Sequence, residues 1–190
     1  MRQALLIVDI QNDYFPGGAM TLVGSEAAGL RAKALLAAFR ERGLPVIHVQ
    51  HLGTRPGAGF FLPGTPGAEI HASVAPAAGE TVVVKHFPNA FRETGLADAL
   101  AAAGARQLVI AGMMTHMCVD ATTRAAADAG YQCTLAHDAC ATRDLAFGGT
   151  AVPAAQVHAA FLAALSGSYA KVCTADEAIA GLDAAAQARA

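Results

Sequence analysis

Six short, uninterrupted aliphatic runs constrain this chain most. They are residues 4–10 (ALLIVDI), 46–50 (VIHVQ), Thr81–Lys85 (TVVVK), 107–111 (QLVIA), 131–135 and a short last one at 169–172. A strand with one wet face alternates apolar and polar residues, whereas a continuous Val/Ile/Leu run reads as a strand covered on both faces. Between the runs lie stretches of helical spacing at 25–42, 94–103, 116–129 and 153–165, with another near Asp176. In the first of these Leu30, Leu35, Leu36 and Phe39 share a face, and Gly43 and Pro45 end it. Regular β–α alternation of this kind predicts an α/β fold, a three-layer α/β/α sandwich around a mainly parallel sheet. Ligands of such folds bind outside the carboxyl ends of the strands, near a reversal of strand order.

The chain has 190 residues, of which 54% are hydrophobic and 15% charged, so disorder is excluded and one domain is expected over residues 1–182. A net charge of -2 offers no basic stripe, so nucleic acid is not an expected partner. No apolar run approaches the ~20 residues of a membrane span. The first residues enter a strand-like run without a signal-peptide pattern, so the expected compartment is the cytoplasm. Residues 183–190 read as an alanine-rich tail. Residues 51–80 break the β–α rhythm with a Gly- and Pro-rich stretch that nevertheless holds Phe60, Phe61 and Leu62. A long loop with an apolar cluster reads as an ordered flap over the strand ends.

Three residues stand where chemistry is expected. Asp9 interrupts the first run near its end (LIVDIQNDY), where a carboxylate either caps the next turn or serves a function. Lys85 ends the third run; a strand-end lysine ordinarily extends to water, and it gains meaning only with a carboxylate beside it. Cys118 falls just after the fourth run (IAGMMTHMCVDATTRAA), in the first turn of the expected helix at 116–129. There the unpaired N–H groups and the macrodipole favour a thiolate. Of the four cysteines, Cys133 and Cys173 fall in or beside strands, and Cys140 is expected on a loop as a competing thiol. No CxxC pair, HExxH pair, GxGxxG or P-loop occurs. His48 and His51 are three apart along a strand and point to opposite faces.

Together, DIQNDYFPGG at 9–18, the strand-end Lys85, GMMTHMCVDATTRAAADAGY at 112–131 and HDACAT at 137–142 resemble the isochorismatase-like cysteine hydrolases. That group includes nicotinamidases and carbamoylsarcosine amidohydrolases. The resemblance implies a six-stranded sheet in the order 3-2-1-4-5-6 and an Asp–Lys–Cys triad of Asp9, Lys85 and Cys118. It implies a cis peptide at Met113–Met114, aiming the backbone N–H groups of Met114 and Cys118 at one point as an oxyanion hole. It further implies hydrolysis of a C–N bond in a small amide or carbamoyl compound through a thioester, without cofactor, in a dimer or tetramer. Phe15, His51, Phe60, Phe61 and Phe91 are the expected substrate contacts. Nicotinamidases carry an Asp-x-His metal pair after the second strand; here His48-Val49-Gln50-His51-Leu52 lacks that aspartate, so no metal is expected. The alternatives are vinyl-ether or ester hydrolysis on the same fold, a non-catalytic binding or redox-sensing descendant, and a metal-dependent hydrolase using His51 and His71.

Overall fold

The computed structural model describes residues 2–187. Along the central aliphatic runs neighbouring residues bury on opposite faces of one sheet; the run at Thr81–Lys85, expected to be covered on both faces, is an edge strand and leaves Val82 and Val84 exposed on one of them. In β1 (Arg2–Val8), Leu5 and Ile7 join the apolar layer that holds Leu35, Leu36 and Phe39 of α1 (Ser25–Glu41). Ala4, Leu6 and Val8 join the opposite layer with Leu96 and Leu100 of α2 (Leu96–Ala102) and Ala126 of α3 (Asp120–Asp128). Burying a Leu or Ile side chain contributes about 1.5–3 kcal/mol, so β1 alone commits both layers. The other strands are β2 (Val46–His51), β3 (Thr81–Lys85), β4 (Ala105–Met113), β5 (Gln132–Ala141), β6 (Leu145–Phe147), β7 (Thr150–Val152) and β8 (Ala170–Cys173). Six of them form a parallel sheet in the order β3-β2-β1-β4-β5-β8. This is the expected order, with β8 as the sixth sheet strand. α4 (Ala154–Leu165) and α5 (Ala175–Gln187) complete the outer layers. No helix among the described residues is long and apolar enough to cross a membrane.

The structure corrects several sequence-based boundaries. β5 runs on to Ala141, so Cys140 lies in a buried strand and not on a loop. The register against β4 shifts between Ile110, paired with Leu135, and Gly112, paired with Cys140, so the intervening residues of β5, His137 and Asp138 among them, bulge out of that ladder. α3 begins at Asp120, after a π-helical turn over Thr115–Val119, rather than at His116. β6 and β7 form an unexpected antiparallel hairpin before α4. The segment set apart as a tail is helical through Gln187, and positions 188–190 lie outside the described residues.

The flap is tied down by the residues that follow β1. The Gln11 side chain donates to the carbonyls of His51 (2.9 Å) and Ala68 (2.7 Å) and accepts from the His51 N–H (2.8 Å). Asn12 donates to Pro66 O at 2.8 Å. Asp13 accepts from the N–H groups of Phe61 (2.6 Å) and Ala19 (3.1 Å). A Cβ at Gly67 would run into the Asp13 carboxyl, so glycine there permits the closeness. At its far end the flap is clamped by Glu80. This carboxylate takes both Arg40 nitrogens (2.7 and 2.8 Å), His48 Nε2 (2.9 Å) and the Ala77 N–H (2.8 Å).

The Arg40 hydrogen bonds chiefly hold the Glu80 pKa down to about 2, against the opposing effect of burial. A depressed carboxylate pKa stabilises the fold above its unfolded value and loses that contribution as pH falls toward the folded one. Glu80→Gln is therefore expected to cost about 1–3 kcal/mol at pH 7 and to flatten the loss of stability between about pH 4.5 and 2. Urea denaturation of both proteins across that range measures it; an unchanged pH slope would remove Glu80 from this role.

Candidate active site

Four strand ends meet at the carboxyl edge of the sheet. Lys85 is the last residue of β3 and its register partner His51 is the last of β2. Both share parity with Val83 and Val49, which face the α2–α3 layer. Asp9 follows β1 directly, in a left-handed conformation (φ 52°), with its N–H bonded to Val49 O at 3.0 Å. Cys118 lies in the π-helical turn after β4, whose Met117 and Val119 N–H groups bond back to Met114 O. The peptide joining Met113 to Met114 is cis. At Gly112 of β4, the register partner of Val8, a Cβ would run into Val8 O, so only glycine fits. The strand order reverses between β1 and β4, so Asp9 and the cysteine turn flank the switch point.

At this meeting point the Lys85 ammonium reaches three acceptors. Nζ donates to Asp9 Oδ2 at 2.6 Å, His51 Nδ1 at 2.9 Å and Cys118 Sγ at 3.2 Å. Asp9 and Lys85 are 0% exposed and Cys118 is 4% exposed. Burial opposes the lysine's charge, but Asp9 and then Cys118 outweigh it and carry the Lys85 pKa above its ordinary value. Burial first, and the ammonium second, push His51 down to about 4, so its ring is neutral at neutral pH. An ammonium offers no lone pair, so Nδ1 accepts and the ring proton resides on Nε2.

Cys118 does not behave as its place in the sequence predicts. Burial first, then the Asp9 carboxylate, push the thiol well above its ordinary range, and Lys85 only partly offsets them. The pull toward thiolate expected from the start of the helical turn is thus opposed by burial and by the facing carboxylate. Asp9 Oδ1 is buried without an ordinary hydrogen-bond partner, and ligand atoms of Asp9 and Cys118 lie within 4.8 Å of one another. That oxygen is left to take the thiol proton. The Cys140 thiol donates to Ala136 O at 3.4 Å, and burial raises its pKa to about 12; unlike Cys118 it has no contact with the Asp9–Lys85 pair, which sets it apart as a rival nucleophile.

A cavity of about 370 Å³ opens over Cys118. His51, Phe60, His86, Met114 and Cys118 line it, together with Tyr14, Arg55 and Met117, which sequence reasoning did not single out. Three expected contacts lie elsewhere. Phe15 stacks on His71 at 3.6 Å. Phe61 is fully buried beneath Tyr14 at 4.5 Å, because the Asp13 bond to its N–H turns the ring inward. Phe91 packs toward Tyr131 at 6.1 Å. Tyr14 had a signal of a kind: it stands five residues beyond Asp9, in the segment that holds the flap.

Asp9, His51 and Cys118 have spacing that a metal ion would accept. The three ligand sets do not fit one here, because Lys85 Nζ stands within 3.2 Å of all of them and already supplies a cation at their centre. His71, paired with Ser73 and stacked on Phe15, is not part of this group.

A thiol, a carboxylate and an ammonium thus share the switch point of the parallel sheet, where folds of this class bind their ligands. The isochorismatase domain model matches residues 3–177, and the chain belongs to the isochorismatase family of hydrolases. It is 52% identical over 174 residues to the isochorismatase family protein YddQ of Bacillus subtilis, covering 92% of this chain and 97% of the relative. It is 32% identical over 145 residues to the maleamate amidohydrolase of Pseudomonas putida, covering 69% of this chain and 68% of the relative. Among solved structures, one from Oleispira antarctica described as an isochorismatase hydrolase superimposes with a TM-score of 0.91 at 58% identity, covering 94% of this chain and 96% of that one.

The electrostatics predict how Cys118 reacts with iodoacetamide. Wild-type protein is expected to label slowly at pH 7–8. Asp9→Asn removes the negative charge that disfavours the thiolate and leaves the ammonium facing sulfur, so labelling should speed up by about 10-fold or more. Mass spectrometry of the digested protein locates the site; slower labelling in Asp9→Asn would contradict the assignment.

Proposed function

We propose that the protein hydrolyses a C–N bond of a small amide or carbamoyl compound, through a thioester on Cys118. The observation that carries this reading is the single buried ammonium held by both the Asp9 carboxylate (2.6 Å) and the Cys118 sulfur (3.2 Å) at the floor of an open cavity. Similarity to an amidohydrolase of the same family supports the choice of bond.

Substrate entry excludes water and places the carbonyl carbon against Sγ. The thiol proton passes to Asp9 Oδ1 as the C–S bond forms, and Lys85 stabilises sulfur while its charge develops. The carbonyl oxygen becomes an oxyanion. The backbone N–H groups of Met114 and Cys118, the oxyanion-hole pair that the family resemblance implies, take up that charge in this reading. Asp9 returns its proton to the nitrogen, the C–N bond breaks, and ammonia or an amine departs. Water then gives a proton to Asp9 and attacks the thioester; the acid leaves and the proton returns to sulfur. Lys85 keeps its three protons throughout. His51, held neutral, spends its acceptor on Lys85 and turns an Nε2–H donor to the cavity it lines.

A screen of primary amides and N-carbamoyl acids for ammonia release tests the reading. Cys118→Ala and Cys118→Ser are expected to lower turnover by about 10³-fold or more while leaving far-UV circular dichroism and the melting temperature near wild type. Asp9→Asn should lose about 10²–10⁴-fold in turnover, although its cysteine alkylates faster, because the proton shuttle is gone. Ammonia release that survives in Cys118→Ala would refute a thioester route.

A further inference from the structure

The rim of the cavity carries an asymmetry of charge that the proposed reaction does not use. Asp9 and Lys85 neutralise one another, His51 is neutral, and the thiol is uncharged at rest. The walls near Cys118 are largely apolar, made by Phe60, Ala58, Pro88, Met114 and Met117. One lining residue, Arg55 on the flap, brings a full charge, and no Asp or Glu is among the lining residues.

Arg55 stands over the Phe87 ring, its guanidinium carbon 5.6 Å from the centroid, and Arg92 stands over the same ring at 3.7 Å. Two guanidinium groups at one ring lie within about a Debye length, ~10 Å, and repel each other. Arg92 has Glu93 at 3.4 Å, whereas among the described residues no carboxylate pairs with Arg55. The Arg55 charge is also felt inside the cavity, where it contributes to holding His51 neutral. A cation kept at the mouth of an apolar cavity, beside a second cation and without an anion of its own, is complemented by an anion on the ligand. Apolar walls strengthen such a contact, and a guanidinium matches a carboxylate in two parallel hydrogen bonds.

We propose that the substrate is an amide that carries a carboxylate at the end remote from the scissile bond, and that Arg55 holds this carboxylate. The inference rests on the hydrolase reading for the position of the amide, with its carbonyl at Cys118 and its charged end toward the flap. Arg55 is then a specificity-determining residue: it selects among amides and takes no part in the bond-making steps. The flap that Gln11, Asn12 and Asp13 hold in place thereby sets which substrates reach the sulfur.

The test separates binding from turnover. Calorimetry on Cys118→Ala protein compares malonamate, succinamate and glutaramate with the uncharged malonamide, succinamide and glutaramide. At least one ω-carboxy amide is expected to bind about 10- to 100-fold more tightly than its diamide. That advantage should vanish in Arg55→Ala/Cys118→Ala, persist in part in Arg55→Lys/Cys118→Ala, and shrink as salt rises. Equal binding of charged and uncharged amides, no binding by any of them, or a preference that survives loss of Arg55 would each overturn the inference. Because this protein lacks the sulfur, a carboxylate preference without wild-type turnover counts against the hydrolase reading alone. Wild-type turnover that ignores the carboxylate counts against Arg55 alone.

Discussion

A fully buried ammonium is among the most expensive groups a fold can carry, and everything at the working end of this protein is arranged around one. Removing a lysine from water costs several kcal/mol unless each of its protons finds an acceptor. Lys85 has three protons and three acceptors, contributed by the ends of β1 and β2 and by the turn after β4. The acceptors arrive together only if β3, β2, β1 and β4 lie side by side, in parallel, with His51 opposite Lys85. A slip of one residue in any of these pairings would turn a partner to the other face of the sheet. Strand order and site chemistry are therefore one constraint seen from two sides.

The segment that follows β1 shows how few residues join the two. Asp9 turns into the site through a left-handed backbone, while Gln11, Asn12 and Asp13 turn outward to hydrogen-bond the flap's main chain. Tyr14 then covers the cavity from the same stretch. Six consecutive positions thus supply a carboxylate for the floor and most of the ties that hold the wall. With Glu80 gripping the far end through Arg40 and His48, a loop with little regular structure of its own has both ends fixed to the sheet and α1.

Much of this was legible in the linear sequence. The aliphatic runs marked the sheet because both faces of its central strands are covered; the edge strand β3 carries the same kind of run with one face open. Asp9, Lys85 and Cys118 were legible because charge and sulfur stood at the ends of those runs. What escaped notice depended on contacts between distant segments. β5 runs past Leu135 because a register shift against β4 absorbs its polar residues, and nothing local announces such a shift. Phe15, Phe61 and Phe91 are aromatic and near the right loops, yet where each ring points is decided by His71, Asp13 and Tyr131, which are far away in sequence. Arg55 is a single cation in a Gly/Pro-rich stretch and acquires meaning only when the flap folds over the cavity. The electrostatics at Cys118 were only partly legible for a related reason: a helix-start argument weighs the local dipole, whereas burial and the facing carboxylate act in the opposite direction.

That last point has a consequence for durability. Peroxides and stray electrophiles attack thiolates, and they attack them in proportion to exposure. Cys118 presents neither, being 4% exposed and shielded by the charge of Asp9. On the proposed mechanism its reactivity is latent, summoned by a bound molecule that fits over the sulfur while Asp9 takes the proton. A thiol held in that way is consumed slowly by oxidants and alkylating agents.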